Sequence, residues 1–165
     1  MLDSMDIKIL NILQDDSTLP VAEIGKKVGL STTPCWRRIQ KLEQDGVIER
    51  RVALLDPKKV SAGVTVFVAI TTSQHNSAWL ERFHTVVKTF PEIVEAYRMS
   101  GQVDYLLRVV VPDIASYDHF YKSFIAQIEL SDVSSSFAME QIKFTTALPL
   151  SFAAGLAAKR PHQEA

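Results

Sequence analysis

Several side chains between residues 33 and 41 have the types that read duplex DNA. Arg can donate two parallel hydrogen bonds to guanine, and Gln can pair at two points with adenine. Thr and Lys reach phosphates or base edges. If the segment is helical, its apolar positions turn inward and leave Thr33, Arg37, Gln40 and Lys41 outward or flanking. A solvated charged face has the same pattern, so the pattern alone leaves both interpretations open.

Helical spacing supports this arrangement of the polar side chains. Cys35, Ile39 and Leu42 recur at i, i+4 and i+7, which predicts one buried stripe. Ser31 or Thr32 can cap the start of the helix. A small buried apolar residue is therefore a better interpretation of Cys35 than a redox switch.

Two further helices are predicted before this one. Asp3 can cap the first, with Asp6 in its first turn, where the helix dipole favours a carboxylate. Pro20 suits the beginning of the second, and Gly29 suits the left-handed position just past its end. A short helix, a tight turn and a longer helix over residues 20–45 have helix-turn-helix spacing, in which the second helix enters the major groove.

The net charge of −1 does not exclude a DNA-binding surface, because the charge is unevenly distributed. Residues 25–51 carry seven Lys and Arg against three Asp and Glu, a local charge of +4. Such a region binds phosphates in a salt-dependent manner. Residues 47–55 predict a short extended segment or wing. Arg50 and Arg51 are placed there to reach phosphates, although adjacent arginines are often simply solvated.

We predict that contacts to DNA come from the third helix and the segment that follows it. Trp36 can stack against sugar or phosphate, and partial packing against the wing is the alternative. The predicted DNA-binding residues are Ser31, Thr32, Thr33, Trp36, Arg37, Arg38, Gln40, Lys41, Arg50 and Arg51.

The second half of the chain changes to strands that alternate with helices. The order βαββαβ is the ferredoxin-like plan, with both helices on one face of the sheet. The other face would expose apolar residues in a monomer, so we expect a second subunit to cover it. The predicted helices are 77–90 and 113–128, and the predicted strands are 64–72, 93–100, 105–111, 132–139 and a short 142–146.

Composition and missing motifs exclude several other classes of function. No apolar run reaches the roughly 18 residues that span a bilayer, and the acidic start lacks a secretory pattern. A single cysteine excludes a disulfide framework, and the four histidines lack metal-ligand spacing. No GxGxxG, P-loop, GxSxG or HExxH motif is present. We therefore expect a cytoplasmic protein that is not an enzyme and uses no metal, cofactor or membrane.

Taken together, the segments resemble the Lrp/AsnC family of leucine- and asparagine-responsive transcription regulators. The resemblance covers about residues 1–150, in order and at the spacing of the family. The motifs that carry it are Leu2-Asp3 with 6–10, the turn and helix over 29–39 with 42–48, the loop over 99–107, and Ser135–Phe137 with 142–149.

The resemblance implies an α+β protein in which a winged helix-turn-helix precedes a ferredoxin-like ligand-binding domain that pairs as a dimeric α/β barrel. Dimers of this family commonly associate into tetramers or octamers, and an amino acid bound between dimers alters assembly or DNA affinity. A two-fold dimer should prefer a pseudo-palindromic operator. The expected parts are a DNA-binding domain at 1–55, a linker at 56–63, an amino-acid-sensing and oligomerisation domain at 64–150, and a flexible tail at 151–165.

The resemblance also points to a loop that binds the effector. Asp104, just past the Gly101 turn, can meet the ammonium group of an amino acid; an Asp that caps its own hairpin is the alternative. The run 135–143 looks most like branches of the family tied to cysteine or branched-chain amino acids, which are the candidate effectors. The predicted effector-binding residues are Tyr97, Met99, Gly101, Gln102, Val103, Asp104, Ser134 and Ser136.

A hypothesis from another functional class fits the same elements. In it, the second half is a small-molecule-binding or catalytic ferredoxin-like domain, and the helical arm only mediates assembly. Salt-sensitive binding to DNA distinguishes the two hypotheses, because several phosphate contacts make affinity fall steeply with salt.

Overall fold

The computed structural model describes residues 2–153, which divide into two compact units. Among the described residues, one unit contains 2–53 together with 143–153, and the other contains 54–142. The chain therefore leaves the first unit and later returns to it. The predicted tail lies outside the described residues from position 154 onward.

Three helices form the first part of the first unit: α1 (Ser4–Asp15), α2 (Val21–Val28) and α3 (Thr32–Gln44). The Asp3 carboxylate accepts hydrogen bonds from the backbone N–H groups of Met5 and Asp6, each at 2.8 Å. The Asp6 carboxylate in turn accepts from the Asp3 N–H at 3.1 Å. This reciprocal capping box satisfies N–H groups that have no partner within the helix, and it confirms the predicted start of α1.

The three helices enclose a small apolar core. The predicted inner stripe of α3 is confirmed, and burial raises the pKa of the Cys35 thiol. Leu150, in a single 3₁₀ turn at Leu150–Phe152, packs against this core from the returning segment. The buried core residues are Ile9, Leu10, Ile24, Val28, Cys35, Ile39 and Leu42.

The second unit contains the predicted βαββαβ fold. The elements are β1 (Val64–Thr71), α4 (Ser77–Thr89), β2 (Ile93–Arg98), β3 (Tyr105–Val111), α5 (Ile114–Ile125) and β4 (Asp132–Phe137). The sheet has the order β2-β3-β1-β4, with every neighbouring pair antiparallel. This is the ferredoxin-like arrangement, so the predicted fold class is confirmed.

The short strand expected at residues 142–146 does not form. The Ala138 N–H still donates to the Thr65 carbonyl at 2.9 Å, beyond the end of β4. From that point to residue 149 the chain is largely exposed and belongs to no helix or strand. The alternation of residue types there was a poor guide because a strand also needs a neighbour to pair with.

One face of the sheet packs against the two helices, and the other lies open. Val66, Val68 and Ile70 of β1 point toward the helices and are almost fully buried. Phe67 lies between them in sequence, points to the opposite face and is 40% exposed. The alternation follows from the period of two along a strand.

A polar network interrupts the open face. Phe67 pairs with Arg108 across one strand boundary, and Glu95 pairs with Arg108 across the next. The Arg108 guanidinium lies 2.6 Å from one Glu95 oxygen, and the Tyr97 hydroxyl donates to the other at 3.0 Å. The hydrogen bond from Arg108, and then that from Tyr97, lowers the pKa of Glu95 against the effect of partial burial. The open face thus carries an ion pair between Arg108 and Glu95, whose charges cancel.

Candidate nucleic-acid interface and ligand loop

The turn between α2 and α3 brings the two helices close together. Gly29 has a φ of 80°, in the left-handed region predicted for it. Gly25 was missed by the sequence reasoning. A Cβ atom there would lie 2.8 Å from the Leu30 carbonyl oxygen and 3.4 Å from the Cys35 Cβ. Only a glycine inside α2 therefore lets the turn and α3 pack at this distance.

The outer face of α3 presents most of the side chains predicted to contact DNA. Thr33, Arg37 and Lys41 are exposed, and Trp36 is 50% exposed. Ser31 is the N-cap residue of α3, but its side chain makes no capping hydrogen bond. An exposed row of hydroxyl, indole, guanidinium and ammonium groups on one helix has the donors needed for phosphates and base edges.

Arg38 differs from the other predicted DNA-binding residues. Its guanidinium lies 2.7 Å from a carboxylate oxygen of Asp3 and 2.7 Å from one of Asp6. The backbone N–H of Asp6, and then the Arg38 guanidinium, lowers the pKa of the Asp3 carboxyl. Arg38 thus ties α3 to the capped start of α1. The sequence showed its charge but not the two acids, which lie more than thirty positions away.

Glu43 engages two more of the predicted residues. It accepts a hydrogen bond from the Gln40 side-chain amide at 2.9 Å and lies 2.8 Å from the Arg51 guanidinium. Arg50 is exposed. The predicted extended segment forms no strand: the chain bends at residues 47 and 48, whose N–H groups both donate to the Leu42 carbonyl, and residues 49–55 belong to no helix or strand. Arg51 is consequently held beside α3 by an ion pair and not by a sheet.

The predicted ligand loop joins β2 to β3. Gly101 has a φ of 124°, which favours glycine, and the Met99 N–H donates to the Asp104 carbonyl at 2.8 Å. Gln102 is exposed, and Val103 is partly buried. The loop therefore has an open tip and a hydrogen-bonded base.

Asp104 is partly engaged in holding the loop against β1. Its backbone N–H donates to the Ile70 carbonyl at 2.9 Å, and its carboxylate oxygen Oδ2 accepts from the Thr72 N–H at 2.8 Å. Among the described residues, Oδ1 accepts no hydrogen bond. The carboxylate therefore has a structural contact on one oxygen and an acceptor left for a ligand on the other. Thr72, a buried residue that the sequence did not single out, completes this corner.

The serines of β4 and the predicted residue Tyr97 of β2 lie on opposite edge strands of the sheet. The Ser135 hydroxyl is hydrogen-bonded to that of Tyr117 on α5, so Ser134 and Ser136 point to the open face. Tyr97, Leu106, Ala69 and Ser134 form one row across the sheet. Three strand spacings of about 4.8 Å separate its ends by roughly 14 Å. The structure therefore keeps Tyr97 and Ser134 apart within one chain.

Two matches to family models cover most of the chain. Residues 2–49 match a winged helix-turn-helix DNA-binding model, and residues 65–148 match an Lrp/AsnC ligand-binding domain model. The chain belongs to the Lrp/AsnC family. It is a DNA-binding transcription regulator and not an enzyme, and the hypothesis of a helical arm that only mediates assembly has no support.

Full-length relatives agree with this assignment. The chain is 52% identical over 151 residues to the DNA-binding transcriptional activator DecR of Escherichia coli, covering 91% of this chain and 99% of that protein. It is 50% identical over 149 residues to the glutamate uptake regulatory protein of Zymomonas mobilis, covering 90% and 91% of the two chains.

Solved structures share the whole fold. An AsnC family transcriptional regulator from Agrobacterium tumefaciens is 71% identical with a TM-score of 0.89, covering 92% of this chain and 99% of that one. A transcriptional regulator from Neisseria meningitidis, solved in complex with L-Met, is 34% identical with a TM-score of 0.88, covering 93% and 99%.

The described residues have no group of His, Cys, Asp and Glu side chains that is arranged to hold a metal ion. A second search, limited to the same part of the chain, finds no helix with the length and hydropathy of a membrane span.

Proposed function

We propose that the exposed face of α3 enters the major groove of a pseudo-palindromic operator and that the second unit senses a small amino acid. The observation that carries the first part is the exposure of Thr33, Trp36, Arg37 and Lys41 opposite the buried stripe of α3. Arg37 is the base-reading side chain, because no acid within the described residues holds its guanidinium.

The other predicted contacts fall into two groups. Ser31, Thr32 and Arg50 are exposed near the ends of α3 and the segment after it, and they serve phosphates. Gln40 and Arg51 contact DNA once their side chains release the Glu43 carboxylate. Arg38 serves as a brace for α1 and is left out of the proposed interface.

We propose that the protein is a homodimer in which the open sheet faces of two copies cover each other. The face combines Phe67, Ala69 and Leu106 with one neutral ion pair, so two copies meet without net charge repulsion. Further association into a tetramer or octamer follows the family pattern. The family works on DNA in the cytoplasm, where we place this chain.

The effector site is proposed to lie between copies. Met99, Gln102, Val103 and the free oxygen of Asp104 form one half, which meets the ammonium group and side chain of the amino acid. Ser134 and Ser136 of another copy supply hydroxyls to the carboxylate. The roughly 14 Å between Tyr97, which leads into the loop, and Ser134 in one chain supports this division, because one small ligand does not bridge it. Cysteine and branched-chain amino acids are the candidate ligands.

DNA binding is tested by fluorescence anisotropy with the region upstream of the protein's own coding sequence, over a salt series. A logarithmic affinity that falls steeply and linearly with the logarithm of salt concentration supports the proposal. Binding that is absent, or unchanged between 50 and 200 mM salt, contradicts it; phosphate contacts of this kind cost about 10³–10⁵ in affinity over that range.

Sensing is tested by thermal-shift measurements with each of the twenty amino acids, followed by native mass spectrometry of each one that stabilises the protein. Stabilisation by cysteine, leucine, isoleucine or valine with a change in subunit number supports the proposal. If no amino acid stabilises the protein or changes its assembly, the sensing role is refuted.

A further inference from the structure

The returning segment is held to α1 by a two-point contact. The Leu148 backbone N–H donates to the Gln14 side-chain carbonyl at 2.6 Å, and the Gln14 side-chain amide donates to the Leu148 carbonyl at 3.3 Å. Two residues further on, Leu150 packs against the helical core of the same unit. The segment therefore docks through both hydrogen bonding and apolar packing.

The chemistry of Gln14 suits this contact. A primary amide offers an acceptor and a donor in one plane, as a neighbouring strand does to an extended residue. A glutamate would offer only acceptors, and a leucine would offer neither. Gln14 therefore fixes which residue of an otherwise unpaired segment sits on α1, without depending on the side chain of Leu148.

The segment is continuous with the strand proposed to bind effector. Ser134 and Ser136 lie on β4, which ends at Phe137, and only residues 138–147 separate β4 from Leu148. Among the described residues, most of this stretch is exposed and none of it belongs to a helix or strand. Residues 138–147 therefore connect the end of β4 covalently to the point at which the segment docks on α1.

We propose that the Gln14–Leu148 contact couples effector occupancy at β4 to the DNA-binding unit. The two states are a docked segment, as in this structure, and a segment pulled out of register with Gln14. An effector that binds β4 better in one of these states shifts the balance between them, and with it the disposition of α1. Gln14 is a positioning residue in this scheme and touches neither DNA nor effector. The inference rests on the proposed sensing function.

The test uses the full-length protein and three variants. Gln14→Leu removes both hydrogen bonds at nearly constant size, and Leu150→Ala weakens docking through a different contact. Asn11→Leu is the matched control, because Asn11 is an exposed residue of the same helix. Affinity for the upstream DNA is measured with and without L-cysteine, L-leucine and L-methionine as probes.

In the wild type we expect a probe to change DNA affinity by about 5- to 150-fold, the usual range for coupled sites. In Gln14→Leu and Leu150→Ala the same probe should still bind, but it should change the affinity for DNA by less than about 2-fold. Asn11→Leu should respond like the wild type. Hydrogen exchange gives an independent readout: the Leu148 amide should exchange faster in Gln14→Leu.

The outcomes separate the inference from the proposed function. A wild type that responds, with a Gln14→Leu variant that responds equally, overturns the inference alone. An unchanged Leu148 exchange rate in Gln14→Leu also overturns it. A wild type that responds to none of the probes, nor to any of the twenty amino acids, overturns both the sensing function and the coupling.

Discussion

The Arg38 guanidinium lies 2.7 Å from a carboxylate oxygen of Asp6, although it belongs to the helix predicted to contact DNA. Its neighbour Arg37 is exposed and unpaired within the described residues. Two adjacent arginines of identical chemistry therefore serve different ends, one facing α1 and one facing outward. Because the two arginines have different contacts, substituting each one tests protein stability and DNA binding separately.

Arg37→Ala should weaken binding to specific DNA by about 1–3 kcal/mol, because a base-reading arginine contributes that much to discrimination. Thermal stability and subunit number should stay at wild-type values, since Arg37 forms no ion pair with another described residue. Anisotropy titration and analytical ultracentrifugation check the two parts. Full DNA affinity in this variant would remove Arg37 from the interface.

Arg38→Ala should instead lower the free energy of unfolding by about 1 kcal/mol, because the Asp3 and Asp6 carboxylates lose a shared partner at a partly exposed site. Urea denaturation measures the change. Lys8→Ala, on α1, is the control for simple loss of a positive charge. A variant as stable as the wild type would show that the ion pairs contribute nothing.

Gly25→Ala should destabilise the first unit by about 1–3 kcal/mol, because the new methyl group meets a backbone carbonyl that cannot move aside. Gly63→Ala is the matched control, since a Cβ atom there has no neighbour within 4 Å. Chemical denaturation of both variants is the measurement. Equal stability of the two would mean that the α2–α3 turn adapts.

Asp104→Asn and Asp104→Ala should separate the two roles of Asp104. Asparagine keeps an acceptor for the Thr72 N–H but loses the charge, so we expect wild-type melting behaviour with loss of amino-acid binding. Alanine loses both, and its melting temperature should fall as well. Thermal shift with and without L-cysteine or L-leucine checks each variant. Undiminished binding in both variants would leave Asp104 as a purely structural residue.

Glu95 should make stability depend on pH. Its pKa is lowered in the folded protein, chiefly by Arg108, so its contribution is present above the ordinary value of 4.5. That contribution is lost as the pH falls from there through the lowered value. Thermal melts between pH 3 and 7 on wild type and Glu95→Gln should converge at the acid end. Parallel curves over this range would show that the pair does not contribute.

Local patterns predicted the elements of this fold well. The capping of α1 by Asp3, the left-handed Gly29 and the buried stripe through Cys35 depend on neighbours close in sequence, and all three are present. The ferredoxin-like plan followed from the βαββαβ sequence of elements. Such features are predictable because capping, turns and periodicity are short-range.

What the sequence did not reveal depends on partners far along the chain. Arg38 finds its acids on another helix, and Gln14 finds a backbone more than 130 positions away. Asp104 was predicted to contact a ligand or to cap its own hairpin, whereas one of its carboxylate oxygens accepts from the Thr72 N–H beyond the end of β1. The strand expected at 142–146 lacked a neighbour. In each case the residue type was informative, and the missing information was the identity of the group opposite.

The return of residues 143–153 to the first unit also affects how the protein folds during its synthesis. The three helices leave the ribosome early. Gln14 of α1 and the helical core, however, make their contacts with Leu148 and Leu150, which are translated much later. Those partners emerge only after the entire sheet has been translated. The first unit therefore acquires its complete packing only when all residues of the second unit have been translated.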